Sequence, residues 1–178
     1  MYASAPNSTL KQELQSLDEN VACVRVPWKM FGSNEYITQP KSVVKHFCKR
    51  QSYDLSVPMH IKNIFKLDCM TQFNIHEIFL HPDYIAINSK GENATNYSIY
   101  QSEENIAEAK IQLNHYFLQS HDYWHNNKLK RNYQNLCKET LINHTSQHFT
   151  EGNVIMNNVT DNHLYLKHKT LYDAIDAM

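Results

Sequence analysis

The stretch IHEIFLHPDYIAINSK, Ile75 to Lys90, decides the fold class of this chain. Ile75–Leu80 and Tyr84–Asn88 are runs rich in β-branched and aromatic residues, the composition of strands. Between them lies His81-Pro82-Asp83, where proline pre-sets the φ of a turn and aspartate suits the next position. The stretch therefore predicts a hairpin. The polar segment SKGENAT, residues 89–95, leads on to Asn96–Tyr100 as a third strand, so the middle of the chain reads as a small antiparallel meander. Val21–Val26 (VACVRV), closed by Pro27, is a further candidate strand.

Outward from the meander the signals become helical. Thr9 to Gln12 spells a T-x-x-Q capping box, and Leu10, Leu14 and Leu17 recur at helical spacing, predicting a helix over about residues 9–19. Thr38 and Pro40 mark a second start, with Val43, Val44 and Phe47 on one side. Ser56 and Pro58 mark a third, whose apolar face is Ile61, Ile64 and Phe65 and which fades near Asp68. Ser102 with Glu103 and Glu104 caps a long helix whose pattern continues, with a break at Asn126-Asn127, to about His148. A last helix, roughly residues 163–178, groups Leu164, Leu171, Ile175 and Met178. No repeat and no low-complexity linker divides the chain, which predicts a single α+β domain over residues 1–178 with a helical C-terminal half.

Composition excludes several classes of chemistry. The chain has three glycines, Gly32, Gly91 and Gly152, where an average chain of 178 residues carries roughly 12. A P-loop and a dinucleotide fingerprint each need several glycines within a few residues, so no nucleotide site of either kind is expected. Nineteen asparagines go with the shortage, and Asn and Asp are the residues that take over left-handed turn positions where glycine is scarce. A formal net charge of −1 supplies no field toward nucleic acid, and the basic blocks Lys41, Lys45, Lys49, Arg50 and Lys128, Lys130, Arg131 read as solvated helix faces. Four dispersed cysteines without a C-x-x-C pair, an N-terminus without secretory character and the lack of a membrane-length apolar run together suggest a cytoplasmic protein, or one delivered to a host cytosol.

Histidine is the one reactive theme. Eleven are present, and His121/His125 and His144/His148 each have the i, i+4 spacing that puts two imidazoles on one helix face, within reach of a single metal ion. The segment LINHTSQHFTEG, residues 141–152, resembles the C-terminal histidine motif of the DinB family of metal-binding helical bundles. That resemblance implies a divalent transition metal on His144 and His148, with His46 in VVKHF as the third ligand by order along the chain. The alternative for the same side chains is ordinary half-buried histidines hydrogen-bonded to their neighbours, with no cofactor. His76-Glu77 and His81 lack the H-E-x-x-H spacing of zinc proteases. The order of helix, strand, tight turn and strand read over Ile61–Lys90 is similar to the N-terminal domain of Nfu-type iron–sulfur scaffold proteins, which implies protein contact and no chemistry of its own.

Without a catalytic signature, these features favour a non-enzymatic protein-interaction module: an adaptor, a small subunit of a larger assembly, or a bacterial or viral protein acting on a host partner. A histidine-ligated metalloprotein is the alternative. The candidate interface residues are Tyr116, Phe117, Tyr123 and Trp124 in the aromatic region, and Leu171 and Ile175 on the C-terminal helix.

Overall fold

A computed structural model describes residues 1–74, 77–95, 100–130 and 145–178. In chain order its elements begin with β1 (Tyr2–Ala3), α1 (Leu10–Gln15), β2 (Val21–Phe31), α2 (Val43–His46), β3 (Lys49–Arg50), β4 (Asp54–Pro58), β5 (Ile61–Phe65), β6 (Met70–Phe73), β7 (Ile78–Leu80) and β8 (Ile85–Asn88). They continue with β9 (Tyr100–Ser102), α3 (Glu103–Glu108), β10 (Ile111–Tyr116), α4 (His121–Tyr123), α5 (Ser146–Ile155), β11 (Val159–Thr160), α6 (His163–Lys167) and α7 (Lys169–Ala177). The class is α+β, with helices gathered toward the C-terminal half, as the sequence predicts. The chain forms two compact units, Met1–Lys29 with Tyr53–Asn114, and Met30–Ser52 with His115–Met178.

The first unit is built on β2, whose side chains alternate between two covers. Val24 and Val26 join Ile87 and Ile111 on one face, against Leu10, Leu14 and Leu17 of the α1 segment. Cys23 joins Ala86 and Ile78 on the other, with Phe65, Met70 and Leu80 packed around them. The same period-two split divides Ile64 from Phe65 and Ile87 from Ala86, as a pleated strand buried on both faces requires. β5 pairs antiparallel with β2, from Cys23 opposite Phe65 to Pro27 opposite Ile61. Pro27 therefore does not end the strand; it falls at the last β5 partner, where a missing N–H costs least.

The strands predicted on either side of His81-Pro82-Asp83 exist as β7 and β8, but the hairpin between them does not. β7 pairs antiparallel with β6, with Phe73 opposite Ile78, and β8 runs parallel to β2, with Val21 opposite Ile85. Ala86 and Ile87 are both buried, so β8 gains more as an inner strand beside β2 than as half of an exposed ribbon. Ile75, His76 and 96–99 lie outside the described residues, and Tyr100 opens β9.

Three predicted helices are corrected. Residues 61–65 form β5: Ile61, Ile64 and Phe65 fit a helical period, but a run of five with apolar residues packed on both sides, Ile64 on one and Phe65 on the other, fits a strand equally. The helix expected after Thr38 is the single turn α2. The long helix from Ser102 keeps its predicted cap, with the Asn105 N–H donating to Ser102 Oγ at 3.0 Å, yet it ends at Glu108. Ile111 and Leu113 then alternate with Gln112 and Asn114 in β10, which pairs with β1. The capping box at Thr9 is present as read, the Gln12 N–H donating to Thr9 Oγ1 at 3.2 Å and the Thr9 N–H to Gln12 Oε1 at 2.9 Å.

In the second unit β3 is central. Arg50 stands opposite Phe31 at the end of β2 and opposite Val159 of β11. Its Nε donates to Asp161 Oδ2 at 2.8 Å, a buried ion pair that ties β3 to the chain beyond β11. Gly32 lets the backbone pass Asn157 and Met156, since a Cβ there would lie 2.2 Å from Asn157 Oδ1 and 2.5 Å from the Met156 carbonyl oxygen. α5 approaches Leu118 through Gly152. The predicted C-terminal helix is divided into α6 and α7 at His168, whose φ of −128° and ψ of 36° leave the helical region. No helix among the described residues is long and apolar enough to cross a membrane.

Candidate functional site

A cluster of charged side chains in the second unit forms where α2 meets α7. His46 Nε2 lies 2.9 Å from both carboxylate oxygens of Asp176, and Nδ1 lies 2.8 Å from Tyr36 Oη. A carboxylate can only accept, so Nε2–H donates to it; in the neutral ring Nδ1 then accepts the tyrosine O–H. Lys45 lies 3.0 Å from Asp173 and 3.1 Å from Asp176. Asp173 also accepts from Tyr165 Oη at 3.0 Å and from Lys169. Hydrogen bonds from His46, and then Lys45, hold the Asp176 carboxyl below its ordinary range. Those from Lys169, Lys45 and Tyr165 do the same for Asp173. The two aspartates in turn push the Lys45 ammonium up.

The paired aspartates share one side of α7. Asp173 and Asp176 lie on the half-buried side of the helix, while Leu171, 56% exposed, and Ala174 lie on its solvent side. The half-buried side of the helix thus carries Tyr172 and Ile175 beside the two paired aspartates, and Leu171 and Ala174 are left exposed. Ile175 is half-buried and Tyr172 packs edge-on to His168.

Beside Tyr36 lies a cavity of about 360 Å³, lined by Tyr36 with Ser33, Ile37, His121 and Phe149. Glu35 also lines it, and Asn34 and Glu35 adopt left-handed φ of 49° and 64° in succession. His121 and His125 stack with ring centroids 4.1 Å apart, and both rest against Phe149.

The histidines grouped by the resemblance have separate tasks. His46 is engaged at both ring nitrogens. His148 is exposed and caps α5: its N–H donates to Thr145 Oγ1 at 3.1 Å, and its Nδ1 accepts the Thr145 N–H at 3.4 Å. It does what Glu or Gln does in a capping box. His144 lies outside the described residues, as do residues 131–143, over which the sequence predicts the long helix. Among the described residues no group of three or more His, Cys, Asp or Glu side chains is placed to hold a metal ion.

The aromatic region is largely internal packing. Trp124 is fully buried and donates from Nε1 to the Thr145 carbonyl at 3.2 Å. Phe117 packs edge-on to it, and Lys128 Nζ sits 4.3 Å from the Phe117 ring centre. Tyr116 is half-buried against Phe31, and Tyr123 is half-buried with its N–H on Ser120 Oγ at 3.1 Å. The Tyr36–His46–Asp176 array is not legible in the sequence, because Asp176 is 130 residues from His46 and its helix reads as simply amphipathic. Compared with known proteins, the chain matches no family model, no curated protein and no solved structure.

Proposed function

We propose that this chain is a protein-binding module whose contact surface is the outward face of α7. One observation carries the reading: α7 turns Asp173 and Asp176 toward Lys45 and His46 and leaves Leu171 and Ala174 in solvent. Apolar side chains kept at the surface while acidic ones are used for docking suit a surface that a partner later buries. Leu166 of α6, 56% exposed, adds to the exposed apolar surface of the C-terminal helices.

The test uses the full chain as bait in its native source, compared with Leu171→Asp and with a chain ending before residue 163. Both variants should lose the partners that the parent captures, and the Leu171→Asp chain should keep its circular dichroism and melting temperature. Undiminished capture by the Leu171→Asp variant would place the interface elsewhere.

A further inference from the structure

The β6–β7 ribbon covers one face of the first unit's sheet, and a cavity of about 390 Å³ lies along that contact. Its walls are mainly hydrocarbon, from Ile78 and Leu80 of β7, Tyr84, and Ala86 of β8. Set into them is Arg25 of β2, which is only 4% exposed. Arg25 stands two residues from Cys23, on the face that the ribbon covers, so the pleat carries a guanidinium into the apolar layer formed by Cys23, Ile78 and Ala86.

We propose that this cavity binds a small amphipathic monocarboxylate, with the carboxylate on the Arg25 guanidinium and the hydrocarbon against Ile78, Leu80 and Ala86. The planar fork of arginine matches a carboxylate with two parallel hydrogen bonds. Apolar surroundings strengthen such bonds relative to water. The volume falls in the roughly 300–1,000 Å³ range of small-molecule sites, which are mostly apolar with a few placed polar groups. Head-group charge follows from the rest of the wall. Glu77 and His81 also line the cavity, and the negative charge of Glu77, whose Oε2 accepts from Asn74 Nδ2 at 2.8 Å, disfavours a phosphate dianion more than a singly charged head. This site belongs to the first unit and does not depend on the α7 surface.

Calorimetric titration of the full chain with octanoate, and with octanamide as its uncharged counterpart, tests the proposal. Octanoate should bind about tenfold or more tightly than octanamide, a difference of about 1.4 kcal/mol. Thr95→Trp, which adds bulk at an exposed residue of the lining, should weaken octanoate by a similar factor with the circular dichroism unchanged. Arg25→Lys, which keeps the charge and loses the fork, should narrow the gap between the two ligands. Because Arg25 is buried and its replacement can disturb the sheet, the two ligands on the parent chain and the Thr95 variant decide. Equal affinity for both ligands, parental affinity in the Thr95→Trp chain, or no saturable octanoate binding at millimolar concentration would each overturn it.

Discussion

His46 Nε2 is shared by the two carboxylate oxygens of Asp176, each at 2.9 Å, and this contact joins a one-turn helix to a helix 130 residues further along the chain. With the Lys45 pairs beside it, it adds a charge contribution to the docking of α7. The pH dependence follows from the directions of the shifts. Asp173 and Asp176 are held below the ordinary carboxylate range, so their contribution is complete above about pH 4 and is lost as pH falls through their lower folded values. Lys45 is raised, so its contribution is complete below about pH 10 and is lost as pH rises through its higher folded value. Limited proteolysis should therefore find α7 protected across the neutral range and cleaved faster toward either extreme. Lys45→Glu should speed cleavage at pH 7, and 1 M salt should do so more weakly in that variant than in the parent. Protection unchanged by Lys45→Glu would show that apolar contacts, not these pairs, hold the helix.

The scarcity of glycine has a structural cost at Glu35. Together with Asn34 it takes a left-handed φ, and glutamate has no special tolerance for that region. Glu35→Gly should stabilise the chain by up to about 1 kcal/mol by relieving the Cβ clash, offset in part by the added freedom of the unfolded chain. A higher denaturant midpoint at constant m checks this. A lower midpoint would mean that the Glu35 side chain contributes contacts outweighing its strain.

Gly32 makes the opposite case. Its neighbours leave no room for a methyl group, one of them being the Met156 backbone carbonyl, which cannot rotate aside. Asn157 Oδ1, the other, accepts the Asn34 N–H at 3.1 Å and would have to give that up. Gly32→Ala should cost about 1–3 kcal/mol, the usual range for overpacking. A neutral Gly32→Ala would show that the segment around Asn157 can withdraw without loss.

Legibility in the sequence followed how local the deciding interaction is. The Thr9 and Ser102 caps close within three residues, and both were readable. The strands over 21–26, 78–80 and 85–88 were readable from composition. Their partners were not, because β8 joins β2 across about 60 residues, and only the two-sided burial of Ala86 and Ile87 favours that over the hairpin. β5 and β10 both carry helical signals, one because a short run packed on both sides has no distinctive period, the other because the genuine cap at Ser102 belongs to a helix that ends before it. At the site, the sequence singled out His46 but not Asp176 or Tyr36. His148 could have been recognised as a cap from Thr145 three residues before it, had histidine been allowed the place of Glu or Gln.

Cys23 tests the two-sided burial of β2 directly. Burial pushes its thiol up to about 11, opposed only in part by the nearby Arg25 charge, and its Sγ lies 3.7 Å from Asn63 Oδ1. Since the thiolate is the nucleophile, at pH 8 about one molecule in a thousand would present it, against roughly a quarter for an ordinary cysteine. Inaccessibility slows the reaction further. Maleimide labelling at pH 8, mapped by mass spectrometry, should therefore modify the half-buried Cys48 well before Cys23, and denaturant should bring the two rates together. Because the raised group keeps its proton in the folded state, the same burial makes stability fall between about pH 8.5 and 11. Labelling of Cys23 at the rate of Cys48 in native buffer would mean that the β6–β7 ribbon opens readily, and the cavity around Arg25 would then be a transient feature of the first unit.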